Sequence, residues 1–181
     1  VPETNERVTT VNRLLNETPR IWSGERFDSF THHMGLEYLK QTKPRLLYFG
    51  YGDTDEFAHE GRYDLYLDSA RRVDDYLKEL WETIQAMPEY RDTTTLIIST
   101  DHGRGEASNG EWRSHGAKIK GSERIWIGVL GPDTPPLGEQ HDQPTVTQSQ
   151  IAATLAKLLG HDYSTFMPSA GQPIDSAIGR K

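Results

Sequence analysis

"LLYFGYGDTDEFAHEG", residues 46–61, runs from an apolar segment directly into a cluster of acidic residues around His59. The apolar part belongs to a run over 45–52, bounded by Pro44 and Gly52, which predicts a short strand buried on both faces, as in a parallel sheet. A buried core needs no acids, and a solvated loop needs no histidine here. The stretch therefore indicates a strand that presents polar side chains at its carboxyl end.

The rest of the chain alternates helical patterns with short apolar runs. Further strands are predicted over 93–103 and 124–132, and helices over 12–17, 29–43, 65–87 and 145–160. Ser29 is the predicted N-cap of its helix and Gly160 the predicted C-cap of the last one. The predicted buried face of helix 65–87 consists of Leu67, Ala70, Val73, Leu77, Leu80, Trp81 and Ile84.

This order of elements predicts an α/β fold, a three-layer α/β/α sandwich whose mostly parallel sheet is covered by helices on both faces. Residues 1–28 are expected to form an irregular lead-in segment, and 29–181 the domain itself. In such sheets, ligands bind beyond the carboxyl ends of the strands. The acids and histidines that follow the predicted strands therefore lie where the fold would place a site.

Composition narrows the chemistry of that site. The 181 residues carry a formal net charge of −7, which disfavours a nucleic-acid surface. Cysteine is absent, so any transition metal must be held by His, Asp or Glu. No apolar run approaches the ~20 residues that span a bilayer, and the first residues lack the pattern of a signal peptide.

Three fragments carry this chemistry: Asp55-x-x-x-His59, Asp101-His102-Gly103 and Ser114-His115-Gly116. Imidazole and carboxylate without thiolate are typical of catalytic rather than structural zinc sites. The alternative for each fragment alone is ordinary: a turn acid, a surface histidine, or a domain that binds nothing. Four other histidines are expected to be structural or solvated, namely His32, His33, His141 and His161.

The order and spacing of these fragments resemble the alkaline phosphatase superfamily over roughly residues 30–160. The similarity is greatest to the type I phosphodiesterase/nucleotide pyrophosphatase branch, which is related to the sulfatases and to phosphoglycerate mutase. "D-x-x-x-H" at 55–59 resembles the branch's "D-x-x-G-H-x-x-G", with Ala58 at the first glycine. "LIISTDHG" and "SHGAKIKGSERIWIGVLGP" resemble its two later motifs.

The resemblance implies a site for two divalent metal ions, zinc first and manganese as the alternative. Asp55, His59 and His115 would hold one ion, and Asp101 and His102 the other. It also implies a small phosphate- or sulfate-ester substrate and an extracytoplasmic, periplasmic location. The expected function is hydrolysis of phosphate mono- or diesters. The alternatives are a phosphomutase of the phosphoglycerate mutase type and a non-catalytic metal-binding fragment.

Two further expectations concern parts of the mechanism outside the metal ligands. Arg104 and Lys118 are candidates to neutralise substrate oxygens, with solvated loop cations as the alternative. In the superfamily a Thr or Ser nucleophile and one more Asp ligand precede the matched stretch, and residues 1–44 contain no counterpart. We therefore expect this chain to be the C-terminal portion of the enzyme, with an incomplete sheet, inactive without its missing N-terminal part.

Overall fold

The computed structural model describes residues 5–106, 110–141 and 143–179. The chain divides into two compact units, of which the first combines Val1–Ala86 with Arg104–Gly121. The second unit combines Met87–Gly103 with Ser122–Lys181. The boundary predicted at residue 28 stays a prediction.

The two units differ in their secondary structure. The first contains α1 (Glu6–Glu17), α2 (Asp28–Thr42), α3 (Asp53–His59), α4 (Tyr63–Ala86) and a 3-10 helix at Glu111–Arg113. The second contains β1 (Leu96–Ser99), β2 (Ile127–Leu130), α5 (Ile151–Leu158) and 3-10 helices at Gln148–Gln150, Tyr163–Thr165 and Asp175–Ala177. Helices thus combine with a small sheet, in line with an α/β class. None of the helices in the described ranges is both long and apolar enough to cross a membrane.

Helix α1 occupies most of the segment that was predicted to be irregular with a short helix over 12–17. The Asn5 side chain caps it by accepting a hydrogen bond of 2.9 Å from the amide of Val8. The same side chain donates to Glu37 of α2 at 3.1 Å, and Val8 is fully buried. The contact with Glu37 joins residues 32 apart in sequence, which a reading of composition and local pattern does not reveal.

Two buried carboxylates join the beginnings of α2 and α3. Asp28 accepts hydrogen bonds from the amides of Gly52, at 2.7 Å, and Asp53, at 3.3 Å. In return, the Asp53 carboxylate accepts the amide of Asp28 at 3.1 Å. Each acid therefore caps the other's helix, and the N-cap predicted at Ser29 is wrong: the cap position is Phe27, whose side chain makes no capping bond.

Burial of this acidic pair changes its titration. Asp28 and Asp53 are each only 2 % exposed. Burial, and then the neighbouring Asp53 carboxylate, raises the pKa of Asp28 to about 6. Burial also raises the pKa of Asp53. The backbone amides that the two carboxylates accept oppose these shifts, because they favour the charged form.

The apolar run over 45–52 does not form the predicted strand buried on both faces. No strand is assigned there in the described structure, and none of the run is buried: four of its eight residues are exposed and four are half-buried. Leu46 is 54 % and Tyr48 is 88 % exposed. The apolar pattern was read correctly as non-helical, but no strand pairs with this run among the described residues.

The long helix α4 is confirmed, but its buried face is rotated from the predicted one. Leu80 and Ile84 are buried as expected, together with Ser69 and Tyr76. Leu67, which was predicted to be buried, is 50 % exposed. The periodicity locates a helix correctly, but which side faces the core depends on the neighbouring helices, above all α3.

The second unit contains two of the predicted strands, but they pair in the antiparallel sense. Leu96 of β1 lies opposite Leu130 of β2, and Ser99 lies opposite Ile127. Both strands are half-buried along most of their length, so neither has the two buried faces of a parallel strand. A three-layer parallel sandwich is therefore not what the described residues form.

Helix α5 confirms the core of the helix predicted over 145–160, with a 3-10 turn in place of its first residues. Gly160 has a φ of +84° directly after the cap residue Leu159. The amides of Gly160 and His161 return to the carbonyls of Lys157 and Ala156, at 3.0 and 2.8 Å. This is the Schellman pattern, in which glycine is favoured.

The rotated face of α4 is testable by two leucine truncations. Leu80→Ala should lower the free energy of unfolding by about 2–5 kcal/mol, because it leaves a cavity in the core. Leu67→Ala, the matched control on the exposed side, should cost about 0.5 kcal/mol or less. Urea unfolding followed by circular dichroism measures both, and equal losses would contradict the orientation of α4.

The Asp28–Asp53 pair predicts a pH-dependent stability. A raised pKa means that the folded state binds the proton more tightly, so this contribution is complete below the ordinary value of 3.8 and is lost as the pH rises through about 6. Relative to Asp28→Asn, the wild type should therefore lose about 3 kcal/mol between pH 4 and pH 7. Denaturant unfolding at each pH gives the difference. Asp75→Asn, which removes an exposed carboxylate from α4, is the control, and a constant Asp28→Asn difference would refute the prediction.

Candidate metal centre

Helix α3 positions the first two predicted metal ligands. Asp55 and His59 lie four residues apart, one helical turn, so their side chains project from the same side. The helix begins at Asp53, whose pairing with Asp28 fixes its first turn. The sequence pattern was therefore right in treating 55–59 as one group, although a helix rather than a strand end presents it.

Two glycines lie against the chain segment that carries His115, the predicted third ligand. His115 follows the 3-10 helix Glu111–Arg113, which contacts α3. A Cβ atom at Gly61, where φ is +73°, would come within 2.6 Å of the Arg113 side chain. A Cβ atom at Gly105 would come within 2.6 Å of the Glu111 carbonyl oxygen. At Gly105 a larger residue would collide with the backbone of this segment, whereas at Gly61 the flexible Arg113 side chain would move aside and the positive φ is what favours glycine.

The three side chains converge on one point. The Nε2 atoms of His59 and His115 are 3.1 Å apart. His59 Nε2 lies 3.3 Å from one Asp55 oxygen, and His115 Nε2 lies 3.5 Å from the other. The side chains are about one-third exposed, at 42 % for His59, 31 % for His115 and 35 % for Asp55. The group therefore remains accessible from solvent.

These distances suit a divalent cation. The three donor atoms lie within 4.8 Å of one another. Ligands held ~2.0–2.1 Å from zinc at tetrahedral angles stand about 3.3 Å apart, close to the separations seen here. Two imidazoles and one carboxylate also form a typical catalytic zinc set, which leaves a fourth position open. The residues present fit the metal that the sequence predicts.

Arg104 contacts this group directly. Its guanidinium donates a hydrogen bond to the Asp55 carboxylate and another, of 3.1 Å, to the Asp55 carbonyl oxygen. The side chain is only 13 % exposed, and its Nη1 atom is buried without a hydrogen-bond partner in the described structure. Arg104 was predicted to face substrate oxygens. The structure places it instead against Asp55, a predicted metal ligand, and its role toward substrate stays a prediction.

The other predicted site residues, which are Asp101, His102 and Lys118, are not among the three converging side chains. Asp101 and His102 follow β1 in the second unit, and Asp101 is 87 % exposed. The His102 Nδ1 atom donates to the Gly103 carbonyl at 2.9 Å, and its Nε2 atom lies 3.7 Å from the Asp101 carboxylate. Lys118 is exposed in the first unit. Their assignments stay predictions.

A second cluster of possible donors surrounds His32. His32, His33 and Glu79 each have a possible donor atom, and these three atoms lie within 4.8 Å of one another. His32 is fully buried, however, and both its ring nitrogens are engaged, with Tyr51 at 2.9 Å and Glu79 at 3.0 Å. Its ring stacks on Tyr76 with centroids 4.1 Å apart, and burial lowers its pKa. These contacts fit the structural role expected for His32.

The sequence analysis missed an aromatic cluster beside the metal group. Tyr63 and Tyr66 lie on the first turn of α4, and Trp112 lies three residues before His115. Tyr63 packs edge-on against Trp112, with ring centroids 5.1 Å apart. The sequence did contain a sign of this cluster, in two tyrosines spaced three apart soon after α3. Helical periodicity alone would have assigned them to a packing face.

Comparison with protein families places these residues in a wider context. A model of the family described as type I phosphodiesterase / nucleotide pyrophosphatase matches residues 4–125, a stretch that includes every residue predicted to bind a metal. Comparisons with curated proteins and with solved structures return no match. The match spans most of the chain and all three motif fragments. The chain therefore belongs to the type I phosphodiesterase/nucleotide pyrophosphatase family.

Proposed function

We propose that this protein is a metal-dependent hydrolase of phosphate esters that works through a two-metal site. The observation that carries the proposal is the convergence of Asp55, His59 and His115 on one point in a chain of this family. Family membership supports a hydrolase of the phosphodiesterase or pyrophosphatase type. The accessible donor group supports a place where an ester could meet a metal.

The charge of the donor group suits an anionic substrate. Asp55 contributes one negative charge and the two imidazoles are neutral ligands, so a divalent ion would leave the group with a net positive charge. A bound cation would supply Lewis-acid polarisation of a phosphoryl oxygen. Arg104 orients Asp55 through two hydrogen bonds and adds a second positive charge nearby.

The finer parts of the proposal rest on the family pattern. Asp101 and His102 are proposed ligands of a second ion, with zinc preferred over manganese at both positions. The nucleophile is expected to be a Thr or Ser outside residues 1–181. An extracytoplasmic location and a small phosphate or sulfate ester as substrate stay predictions from the resemblance.

The three-layer α/β/α architecture is likewise proposed for the complete enzyme. Its support is family membership and the apolar run over 45–52, which is unburied and has no pairing strand among the described residues. An unpaired apolar run is ordinarily covered in a finished sheet.

The metal assignment predicts a loss of zinc on removal of either histidine. His59→Ala and His115→Ala should each weaken zinc binding by more than the roughly 10–100-fold typical of outer-shell changes. His161→Ala, an exposed histidine in the second unit, is the matched control and should retain zinc. Titration calorimetry and metal analysis of the purified protein provide the readout. Unchanged zinc content in both site variants would remove the assignment.

The reaction class is tested with the full-length protein on simple esters. Zinc-loaded protein should hydrolyse phosphate monoesters or diesters, chelation should abolish the activity, and added zinc should restore it. Release of the alcohol and of phosphate is measured directly. Sulfate esters are tested in parallel. Isomerisation of a sugar phosphate without any ester hydrolysis would show a mutase and overturn the proposal.

A further inference from the structure

A concave aromatic surface lies beside the metal group. The space is about 400 Å³ and is lined by Tyr63, Tyr66, Arg104, Gly105 and Trp112. The Tyr63 and Tyr66 rings are nearly parallel, with an interplanar angle of 26° and centroids 5.9 Å apart. Trp112 stands almost perpendicular to Tyr63, at 79°. Three rings thus present both faces and edges to a single space.

These rings are not part of a packed core. Tyr63 is 55 % exposed, and Tyr66 and Trp112 are half-buried. The core of the same unit is formed elsewhere, by residues such as Leu36, Leu80 and Ile84. Exposed aromatic side chains grouped around a concavity are a feature of ligand sites rather than of ordinary surface. The cluster therefore needs an explanation other than stability.

The aromatic space and the metal donors are built by the same two chain segments. The stretch from α3 into α4 carries Asp55 and His59, followed by the two tyrosines. The stretch after Arg104 carries Trp112 and then His115, with only two residues between them. A ligand held by the rings would therefore lie next to a ligand held by the donor group.

Arg104 connects the two halves. Its guanidinium donates to Asp55 in the donor group, and its central carbon lies 6.0 Å from the centre of the Tyr66 ring. At that distance a guanidinium interacts favourably with the face of an aromatic ring. A positive charge at the junction of a metal group and an aromatic pocket complements a molecule with an anionic phosphate at one end and a flat ring at the other.

We propose that this pocket selects the leaving group: it binds the planar aromatic ring of an aryl phosphate ester, an inference that rests on the proposed function. Tyr63, Tyr66 and Trp112 are then specificity-determining residues that contact the ring. Hydrolysis of such an ester breaks the bond between phosphorus and the aryl oxygen and adds water, so that phosphate and a phenol leave. The offset and edge-to-face geometry of the three rings suits a flat partner better than a puckered one.

The test uses non-hydrolysable probes, so that binding is measured without activity. Full-length zinc-loaded protein is titrated calorimetrically with phenylphosphonate, cyclohexylphosphonate and methylphosphonate. The first two have rings of the same size and differ in planarity. Phenylphosphonate should bind about tenfold more tightly than cyclohexylphosphonate, the difference expected of one good aromatic contact.

Variants locate the preference. Trp112→Ala should abolish the preference for phenylphosphonate over cyclohexylphosphonate, and Trp112→Phe should keep most of it. Trp126→Ala removes a 56 % exposed tryptophan from the second unit and serves as the matched control. Tyr63→Ala is an independent variant at an exposed position, and circular dichroism verifies that each variant is folded.

The outcomes separate this inference from the function on which it rests. Binding of all three probes with equal affinity, or a preference that survives in both Trp112→Ala and Tyr63→Ala, overturns the aromatic pocket and leaves the phosphate site standing. Equal binding of phenyl- and cyclohexylphosphonate shows an apolar pocket without selection for planarity and overturns the aryl specificity. Binding of none of the probes refutes the phosphate site, and the inference falls with it.

Discussion

The candidate site depends on the reciprocal capping of α2 and α3 by two buried acids. Helix α3 has only seven residues, too few to be stable alone, so its position must come from tertiary contacts. Asp28 and Asp53 supply them by each accepting the other helix's first amides. Asp55 follows Asp53 by two residues and His59 lies one turn further. The direction of both ligands is therefore set by this contact between helix ends.

The same contact is costly at neutral pH. Two carboxylates at 2 % exposure lose hydration, which raises the pKa of each, and the charge of Asp53 raises the pKa of Asp28 further. Backbone amides and the partial positive charges of two helix N-termini offset part of this cost. Replacing one acid by a neutral side chain would relieve the repulsion, but a shape that accepts amides from both ends must be kept. Interactions that lower stability but hold a functional group in position recur beside such sites.

The sequence shows the features that depend on neighbouring residues, but not those that depend on contacts between distant residues. Asp55 and His59 are visible as a pair because their spacing is one helical turn, and α4 is visible from its apolar period. The side chain that accepts the first amide of α2 is that of Asp53, which lies 25 residues from Asp28. A search for a neighbouring Ser or Asp therefore selects Ser29 instead. The run over 45–52 has the composition of a buried strand, but burial requires pairing partners that composition cannot supply. The antiparallel pairing of β1 and β2 is a long-range property of the same kind.

One short segment of this protein carries both a residue of the proposed aromatic pocket and a candidate metal ligand. Trp112 belongs to the aromatic pocket and His115 to the donor group, and the 3-10 helix between Glu111 and Arg113 holds both against α3. Gly105 accommodates the backbone of that segment, and the positive φ of Gly61 favours glycine beside the Arg113 side chain. A shift of this segment's backbone would therefore move the aromatic pocket and His115 together. Divergence of substrate preference within this scaffold should therefore be easier through Tyr63 and Tyr66, which stand on the rigid helix α4 and touch no metal ligand in the contacts described above.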